Sequence, residues 1–407
     1  MRPLTRRGLV GGTAAAAAAL AGAGRNAVAA APEPAAPDAT LPTPADSGID
    51  HVVVVCMENR SFDHLLGWLP GADGKQAGLS FRDARGAAHP THPLAPDFQG
   101  CSYSDPDHSA GGARSQYAAG AMDGFLRTGT GDRFPIGYYT RADLPFLGEA
   151  AAAWTVCDRS FASFLGPTFP NRMYLHAGRT DRSRNSIAIS RLPTIWDRLK
   201  QAGLRGAYYT SGLPFLALWG GKYTGITRSF ERFLADCRKG ALPELSYVDP
   251  PFTLAGLLGG ESTSSDDHPH GDIRAGEAWL NRVYRAVTTS PSWERTLLII
   301  TFDEWGGFFD HVPPVAAPDV GGPQLRGFRV PTILISPRAR RGTVDHGVYD
   351  HTSILRLVEW RWSLAPLAPR DATARNLALA LDFVAPASSA PAPAFRVPAL
   401  AQGAACR

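Results

Sequence analysis

Val52-Val53-Val54-Val55-Cys56-Met57-Glu58-Asn59 is an apolar run that ends abruptly in a carboxylate and an amide. A second run, Thr296-Leu297-Leu298-Ile299-Ile300-Thr301-Phe302-Asp303-Glu304, ends in two acids. Continuous rather than alternating hydrophobicity, rich in β-branched side chains, describes strands buried on both faces. The expected strands are Ile49 to Cys56, Ala207 to Tyr209, Thr296 to Phe302 and Pro331 to Ser336. Helical periodicity lies between them, at Leu192 to Gln201, Ala275 to Thr289 and Ser353 to Trp362. Alternation of this kind predicts a three-layer α/β/α sandwich around a mostly parallel central sheet. In such sheets functional groups gather beyond the carboxyl ends of strands, which directs attention to the acids after the two runs.

The flanking sequence frames one large domain. Of 407 residues, 44% are hydrophobic and 19% charged, as expected of a globular enzyme and of neither a disordered chain nor a membrane protein. At the N-terminus, Arg6-Arg7, a weakly apolar Ala/Gly/Leu stretch and Ala27-Val28-Ala29 read as a twin-arginine export signal over residues 1–31. Residues 32–48 are a Pro/Ala-rich linker, 49–384 the catalytic domain and 385–407 a second Pro/Ala-rich stretch, both flanks being expected to trail as tethers.

The signal also decides how the charge is read. The net charge of +4 comes from Arg2, Arg6, Arg7 and Arg25, and without them 37 basic residues face 37 acidic ones. No overall positive field recruits nucleic acid or an anionic membrane, and no stable membrane insertion is expected. Five cysteines (Cys56, Cys101, Cys157, Cys237 and Cys406) lack C-x-x-C spacing, so a zinc ribbon is not indicated. An oxidising destination would permit a disulfide, whose pairing the sequence leaves open.

Glu58, Asn59, Asp303 and Glu304 are oxygen donors delivered by two strand ends. Carboxylates sharing a pocket repel unless a cation or proton intervenes, so a divalent metal is expected there. Helix capping by Asn59 and a solvated acidic turn at Asp303 are the plainer alternatives. Gly306-Gly307 would allow close backbone approach or a sharp turn. In Gly166-Pro167-Thr168-Phe169-Pro170-Asn171-Arg172, Thr168 would fall near a helix start, where backbone donors suit a phosphate. Its hydroxyl becomes a competent nucleophile only when activated. His108, within Asp105-Pro106-Asp107-His108-Ser109, and His268, after Asp266-Asp267, could protonate a leaving group or offset phosphate charge. His311 beside Asp310 and His351 beside Asp350 share this Asp-His grammar but adjoin turns or caps, so supporting roles are expected.

Taken in order, these motifs resemble the bacterial phosphoesterase family that joins phospholipases C with acid phosphatases, within the alkaline-phosphatase-like fold. The carriers are Glu58-Asn59-Arg60-Ser61-Phe62-Asp63, Asp107-His108-Ser109, Gly166-Pro167-Thr168-Phe169-Pro170-Asn171-Arg172, Asp267-His268-Pro269, Asp303-Glu304 with Gly306-Gly307-Phe308-Phe309-Asp310-His311, and Tyr349-Asp350-His351-Thr352-Ser353. The resemblance implies that Glu58, Asn59, Asp303, Glu304 and Thr168 bind the metal, that Thr168 attacks phosphorus and that His108 and His268 contact the phosphoryl group. Threonine at the nucleophile position leans toward phosphodiesters. Two departures stand out: Trp305 where many relatives have His, and Ala110 where many have Trp.

The expected function is therefore an exported, metal-dependent, phospholipase C-like phosphodiesterase acting through a phosphothreonine on a phosphate ester, phospholipid included. An acid phosphomonoesterase using the same site is the alternative within enzymes. An exported protein that binds phosphorylated ligands on a degenerate metal site is the alternative of another class, and Trp305 is its support.

Overall fold

A computed structural model describes residues 40–251, 264–399 and Cys406. The expected export signal and residues 32–39 of the linker lie outside the described residues. The eight strands β1 (His51–Met57), β2 (Thr155–Cys157), β3 (Gly206–Thr210), β4 (Thr227–Ser229), β5 (Leu245–Val248), β6 (Thr296–Phe302), β7 (Thr332–Ile335) and β8 (Thr343–Asp345) form one sheet. Their order is β8-β2-β7-β6-β1-β5-β3-β4. The strand β1 lies centrally and pairs in parallel with β6 on one side and β5 on the other. Met57 stands opposite Phe302 and Val55 opposite Val248, so Glu58, Asp303 and Asp249 leave the same edge of the sheet side by side.

The sheet is mostly parallel, but β7 runs antiparallel to both β6 and β2. The run Pro331 to Ser336 could not announce this. Burial on both faces writes the same continuous apolar sequence in either direction. The strands β2 and β5 escape a reading by apolar runs because one has three residues and the other carries Ser246.

Helices on both sides complete an α/β architecture. Those that bear on the site are α1 (Phe62–Leu66), α2 (Ala110–Tyr117), α3 (Thr168–Ala177), α4 (Ile195–Gln201), α5 (Ile273–Thr288) and α6 (His351–Trp362). The helix α6 starts two residues before the expected Ser353, because Asp350 caps it: its carboxylate accepts from the Thr352 N–H at 2.8 Å and its own N–H donates to Ser353 Oγ at 3.1 Å. The helix α3 packs against α6 and is buried along its whole length. Its polar residues Thr168, Asn171 and Arg172 therefore face protein rather than solvent.

The C-terminal stretch does not trail free as expected. Phe395 stacks on Tyr284 with ring centres 4.9 Å apart, the Tyr284 hydroxyl donates to Pro393 O at 2.7 Å, and Cys406 forms a disulfide with Cys101. A Pro/Ala composition denies the segment a core of its own, yet one aromatic and one thiol suffice to dock it. The other three cysteines are buried and unpaired.

Asp350 also anchors the chain around the start of α6, accepting from Arg326 Nε at 2.7 Å and Arg370 Nε at 3.1 Å. Burial alone would raise its carboxyl, but Arg370 and Arg326 outweigh that effect and hold it well below the usual carboxylate range. A depressed folded value contributes stability that is complete above the unfolded pKa of about 3.9 and is lost as pH falls toward the folded value. Asp350→Asn is therefore expected to cost about 3–5 kcal/mol at neutral pH, by removing the buried negative charge that Arg370 and Arg326 share. It should also flatten the acid limb of the stability curve. Urea midpoints measured from neutral to acid pH check this, and parallel curves for the two proteins would refute it.

Candidate active site

The strand ends are gathered by one guanidinium. Arg172, on α3, donates from Nε to Glu58 Oε1 at 2.9 Å, from Nη1 to Asp249 Oδ1 at 3.2 Å and from Nη2 to Cys56 O at 3.0 Å, and its Nε lies 3.5 Å from Asp303 Oδ2. It is 1% exposed, so the contacts are made away from water. Three acids at three adjacent strand ends thus share one cation. Thr168 precedes Arg172 by one helical turn, on the same face and about 6 Å along the axis. The threonine consequently opens the helix beside the cluster, and it is 2% exposed.

Local backbone chemistry aims the donors. Asn59 sits at φ 60°, a left-handed conformation that Asn tolerates better than most residues. Its N–H donates to Asp303 Oδ1 at 3.1 Å. The Glu304 N–H binds the same oxygen at 2.7 Å, and Glu304 Oε2 accepts from the Gly306 N–H at 2.7 Å. A Cβ on Gly306 would fall 2.0 Å from Asn59 O, and one on Gly307 would fall 2.6 Å from the Pro106 side chain. The paired glycines let the Asn59 turn and the His108 loop close onto Asp303 and Glu304.

The charge balance of this cluster calls for more than Arg172. Burial first, and then repulsion between neighbours, pushes the carboxyls of Glu58 and Glu304 well above the usual range, and burial raises Asp303 as well. Asn59 Oδ1 and Nδ2, Asp303 Oδ2 and Glu304 Oε1 are buried without a hydrogen-bond partner among the described residues. Each such group costs about 1–3 kcal/mol, more if charged. Oxygen atoms left open in this way, on a hard carboxylate and amide donor set, fit a divalent cation. The chemistry of the residues is therefore compatible with the expected metal.

The histidines divide into two groups. The rings of His108 and His268 meet edge to face with centres 5.5 Å apart, and His108 Nδ1 lies 3.9 Å from Asp105 Oδ1. One ligating atom from each of Asp105, His108 and His268 falls within 4.8 Å of the others, so the trio could itself hold a cation or face a phosphoryl group. Burial keeps His268 neutral down to about 4, although Asp105 opposes the shift. Asp266 fixes the segment by accepting from the His268 N–H at 3.0 Å, and its carbonyl accepts from the Glu58 N–H at 2.7 Å.

His311 and Asp310 are engaged elsewhere, in a buried ion network: His311 Nδ1 meets Asp63 Oδ2 at 2.6 Å and its Nε2 meets Asp73 at 3.0 Å. Arg329 binds Asp310 at 2.9 Å and Asp63 at 3.0 Å, so a guanidinium already occupies the place a metal would take. This group secures α1 behind the site. His351 supports β6, donating from Nε2 to Phe302 O at 2.9 Å directly before Asp303. Asn171 holds the turn before α3, with Nδ2 donating to Gly166 O at 2.8 Å and Pro167 O at 3.1 Å.

Two expectations are modified. The start of α3 offers fewer donors than its position suggested, since Pro170 has no N–H and the Phe169 N–H is taken by Asn185 Oδ1 at 2.9 Å. Trp305 does not occupy the site in place of a histidine. It is fully buried, packs on Phe328 with ring centres 4.8 Å apart, and its indole N–H donates to Gln116 Oε1 at 2.7 Å. Gln116 Nε2 in turn donates to Asp107 O at 2.7 Å, so the indole steadies the loop that carries His108.

Sequence reasoning passed over Asp249, Gln116 and Asn185. Asp249 ends a strand interrupted by Ser246, and the others act through tertiary contacts that no local pattern records.

Removing Arg172 would leave three buried carboxyls without their shared cation. Arg172→Met is expected to lower unfolding free energy by about 3–5 kcal/mol. Divalent manganese should raise the melting temperature of the native chain in a concentration-dependent way, by linkage. Asp303→Ala should abolish that rise, and an undiminished rise in Asp303→Ala would place the cation elsewhere.

Comparison with known proteins identifies the family. Residues 49–365 match the family model described as the Phosphoesterase family. The chain is 32% identical to non-specific phospholipase C1 of Arabidopsis thaliana, over 80% of this chain and 69% of that protein. It is 30% identical to phospholipase C B of Mycobacterium tuberculosis, over 83% and 78% of the two chains. Among solved structures, a protein of the alkaline phosphatase superfamily from Vibrio parahaemolyticus aligns at 13% identity with a TM-score of 0.40, covering 57% of this chain and 63% of that one. The chain belongs to the phosphoesterase family, and is a hydrolase acting on phosphoric esters.

Proposed function

We propose that the chain is an exported phospholipase C-like phosphodiesterase that works through a phosphothreonine at Thr168. The observation that carries this reading is the set of open donor atoms on Asn59, Asp303 and Glu304, at strand ends that Arg172 of α3 ties together. A divalent cation held by Glu58, Asn59, Asp303 and Glu304 would supply Lewis acidity, making the nearby hydroxyl more acidic and offsetting charge on phosphoryl oxygens.

The chain's own residues do the rest. Arg172 holds Glu58 and Asp303 in register, so the donor set is assembled before substrate arrives. Thr168, on a buried helix start, attacks phosphorus in line; its Oγ1 forms the new P–O bond as the alcohol of the diester departs. His108, with the neutral His268 ring edge to face against it, protonates that leaving oxygen. Water then attacks the phosphothreonine, releasing the phosphomonoester product and restoring the hydroxyl. Close packing around Thr168 excludes bulk water from the first step.

The disulfide between Cys101 and Cys406 supports export, because such bonds persist in oxidising compartments and rarely in the cytoplasm. Trp305 is buried and bonded to Gln116, so its indole does not fill the space beside the strand-end acids.

Thr168→Val should keep substrate affinity within about tenfold while losing turnover by several orders of magnitude, and Thr168→Ser should stay active. Rapid quenching with a labelled diester, beside a matched monoester, should trap label on the peptide containing Thr168. Substantial single-turnover activity in Thr168→Val with no trapped label in the native chain would replace covalent catalysis with direct attack by water.

A further inference from the structure

We infer that residues 182–191 form a rigid docking loop that seats the mouth of the Thr168 site on the surface of an anionic phospholipid bilayer. The inference rests on the reading of the site as one that cleaves phospholipids. The segment reads Arg182-Ser183-Arg184-Asn185-Ser186-Ile187-Ala188-Ile189-Ser190-Arg191; Arg182 pairs at 2.8 Å with Asp181 directly before it, which leaves Arg184 and Arg191 as the exposed basic side chains. Ile187 is 74% exposed and Ile189 is 61% exposed, two large apolar side chains standing in water two residues apart.

The exposure is built rather than incidental. Arg182 folds back along its own loop, donating from Nη1 to Ser186 O and from Nη2 to Ala188 O at 2.9 Å. Those carbonyls lie two residues apart on one side of an extended segment, and side chains two residues apart share a face in such backbone. Pinning the carbonyls therefore fixes how Ile187 and Ile189 are presented. The loop is pinned at its far end as well, where the Ser190 N–H donates to Leu218 O at 2.7 Å and Trp219 Nε1 to Leu192 O at 2.9 Å. An apolar pair held this firmly spends little conformational entropy on binding.

Its position connects it to chemistry. Asn185, two residues before Ile187, caps the Phe169 N–H, immediately after Thr168. The exposed isoleucines thus stand next to the start of the nucleophile's helix. Leu213, 48% exposed, belongs to the loop after β3, at the same carboxyl edge of the sheet.

The local chemistry names the occupant. Exposed Arg184 and Arg191 flank the isoleucines, so the loop offers apolar tips between guanidinium groups. That is the pattern for insertion between lipid headgroups with arginines on their phosphates. A partner held by apolar contact alone would not require the two exposed arginines. The even charge of residues 32–407 conceals this local pair. Docking by this loop would bring the start of α3, where Thr168 is buried, toward the interface. Reversible contact of this kind also agrees with the finding that no helix among the described residues is long and apolar enough to cross a membrane.

The test uses the full chain with vesicles of phosphatidylcholine alone or mixed with phosphatidylglycerol. The native chain should co-sediment with the mixed vesicles, and rising salt should weaken the binding. Replacing both isoleucines (Ile187→Ser with Ile189→Ser) should weaken binding and vesicle hydrolysis by about tenfold or more. The same pair should hydrolyse the soluble diester bis(4-nitrophenyl) phosphate at the native rate. Arg184→Gln with Arg191→Gln should erase the preference for mixed vesicles. Vesicle binding that is absent in the native chain, or unchanged in the isoleucine pair, overturns the inference. So does light scattering that shows the isoleucines joining two copies of the chain instead. Native binding that needs the isoleucines, with no diester hydrolysed in either form, would uphold the docking loop and end the phosphodiesterase reading.

Discussion

A single buried guanidinium holds the site together. Arg172 reaches the ends of β1, β5 and β6 at once, through Cys56 O and Glu58, Asp249, and Asp303. Neighbouring parallel strands bring their carboxyl ends together by geometry alone, and acids delivered there repel one another. The fold tolerates this concentration of charge because α3 inserts a planar, multidentate cation among them. The same helix begins with Thr168, so the element that neutralises the acids also presents the hydroxyl. One charge does not neutralise every acid in the cluster. The remaining open oxygens on Asn59, Asp303 and Glu304 are the residue of that imbalance, and their chemistry suits a divalent ion.

The support around this centre is layered. Gly306 and Gly307 allow two loops to close on the acids, His351 holds the last carbonyl of β6, and the Asp63, Asp310, His311 and Arg329 network braces α1 from behind. Trp305 shows how a departure from a family pattern can be absorbed. Its indole leaves the site for an apolar cluster and, through Gln116, secures the segment bearing His108. A substitution at a site residue has become a contact that positions another.

Much of this was legible in the sequence because strand ends are local features. The runs ending at Glu58 and Asp303 declare both their burial and their chemistry, and β6 spans the expected Thr296 to Phe302. What stayed hidden was either directional or tertiary. The antiparallel course of β7 leaves no trace in a run buried on both faces. Asp249 follows a strand too short and too polar to stand out. The partners of His311 and His351 come from residues far away in the chain, so an Asp-His pair reads alike whether it faces a substrate or a neighbouring carbonyl. The C-terminal stretch misled through composition, since Phe395 and Cys406 outweigh many prolines and alanines once a groove and a thiol await them.

The central claim is that the acids assembled by Arg172 form a divalent-cation site next to Thr168. Anomalous diffraction from crystals soaked in manganese chloride tests it most directly. The account predicts a peak among Glu58, Asn59, Asp303 and Glu304, with Thr168 Oγ1 within reach of the ion. A peak at Asp63 and His311 instead, with the four donors empty, would contradict it.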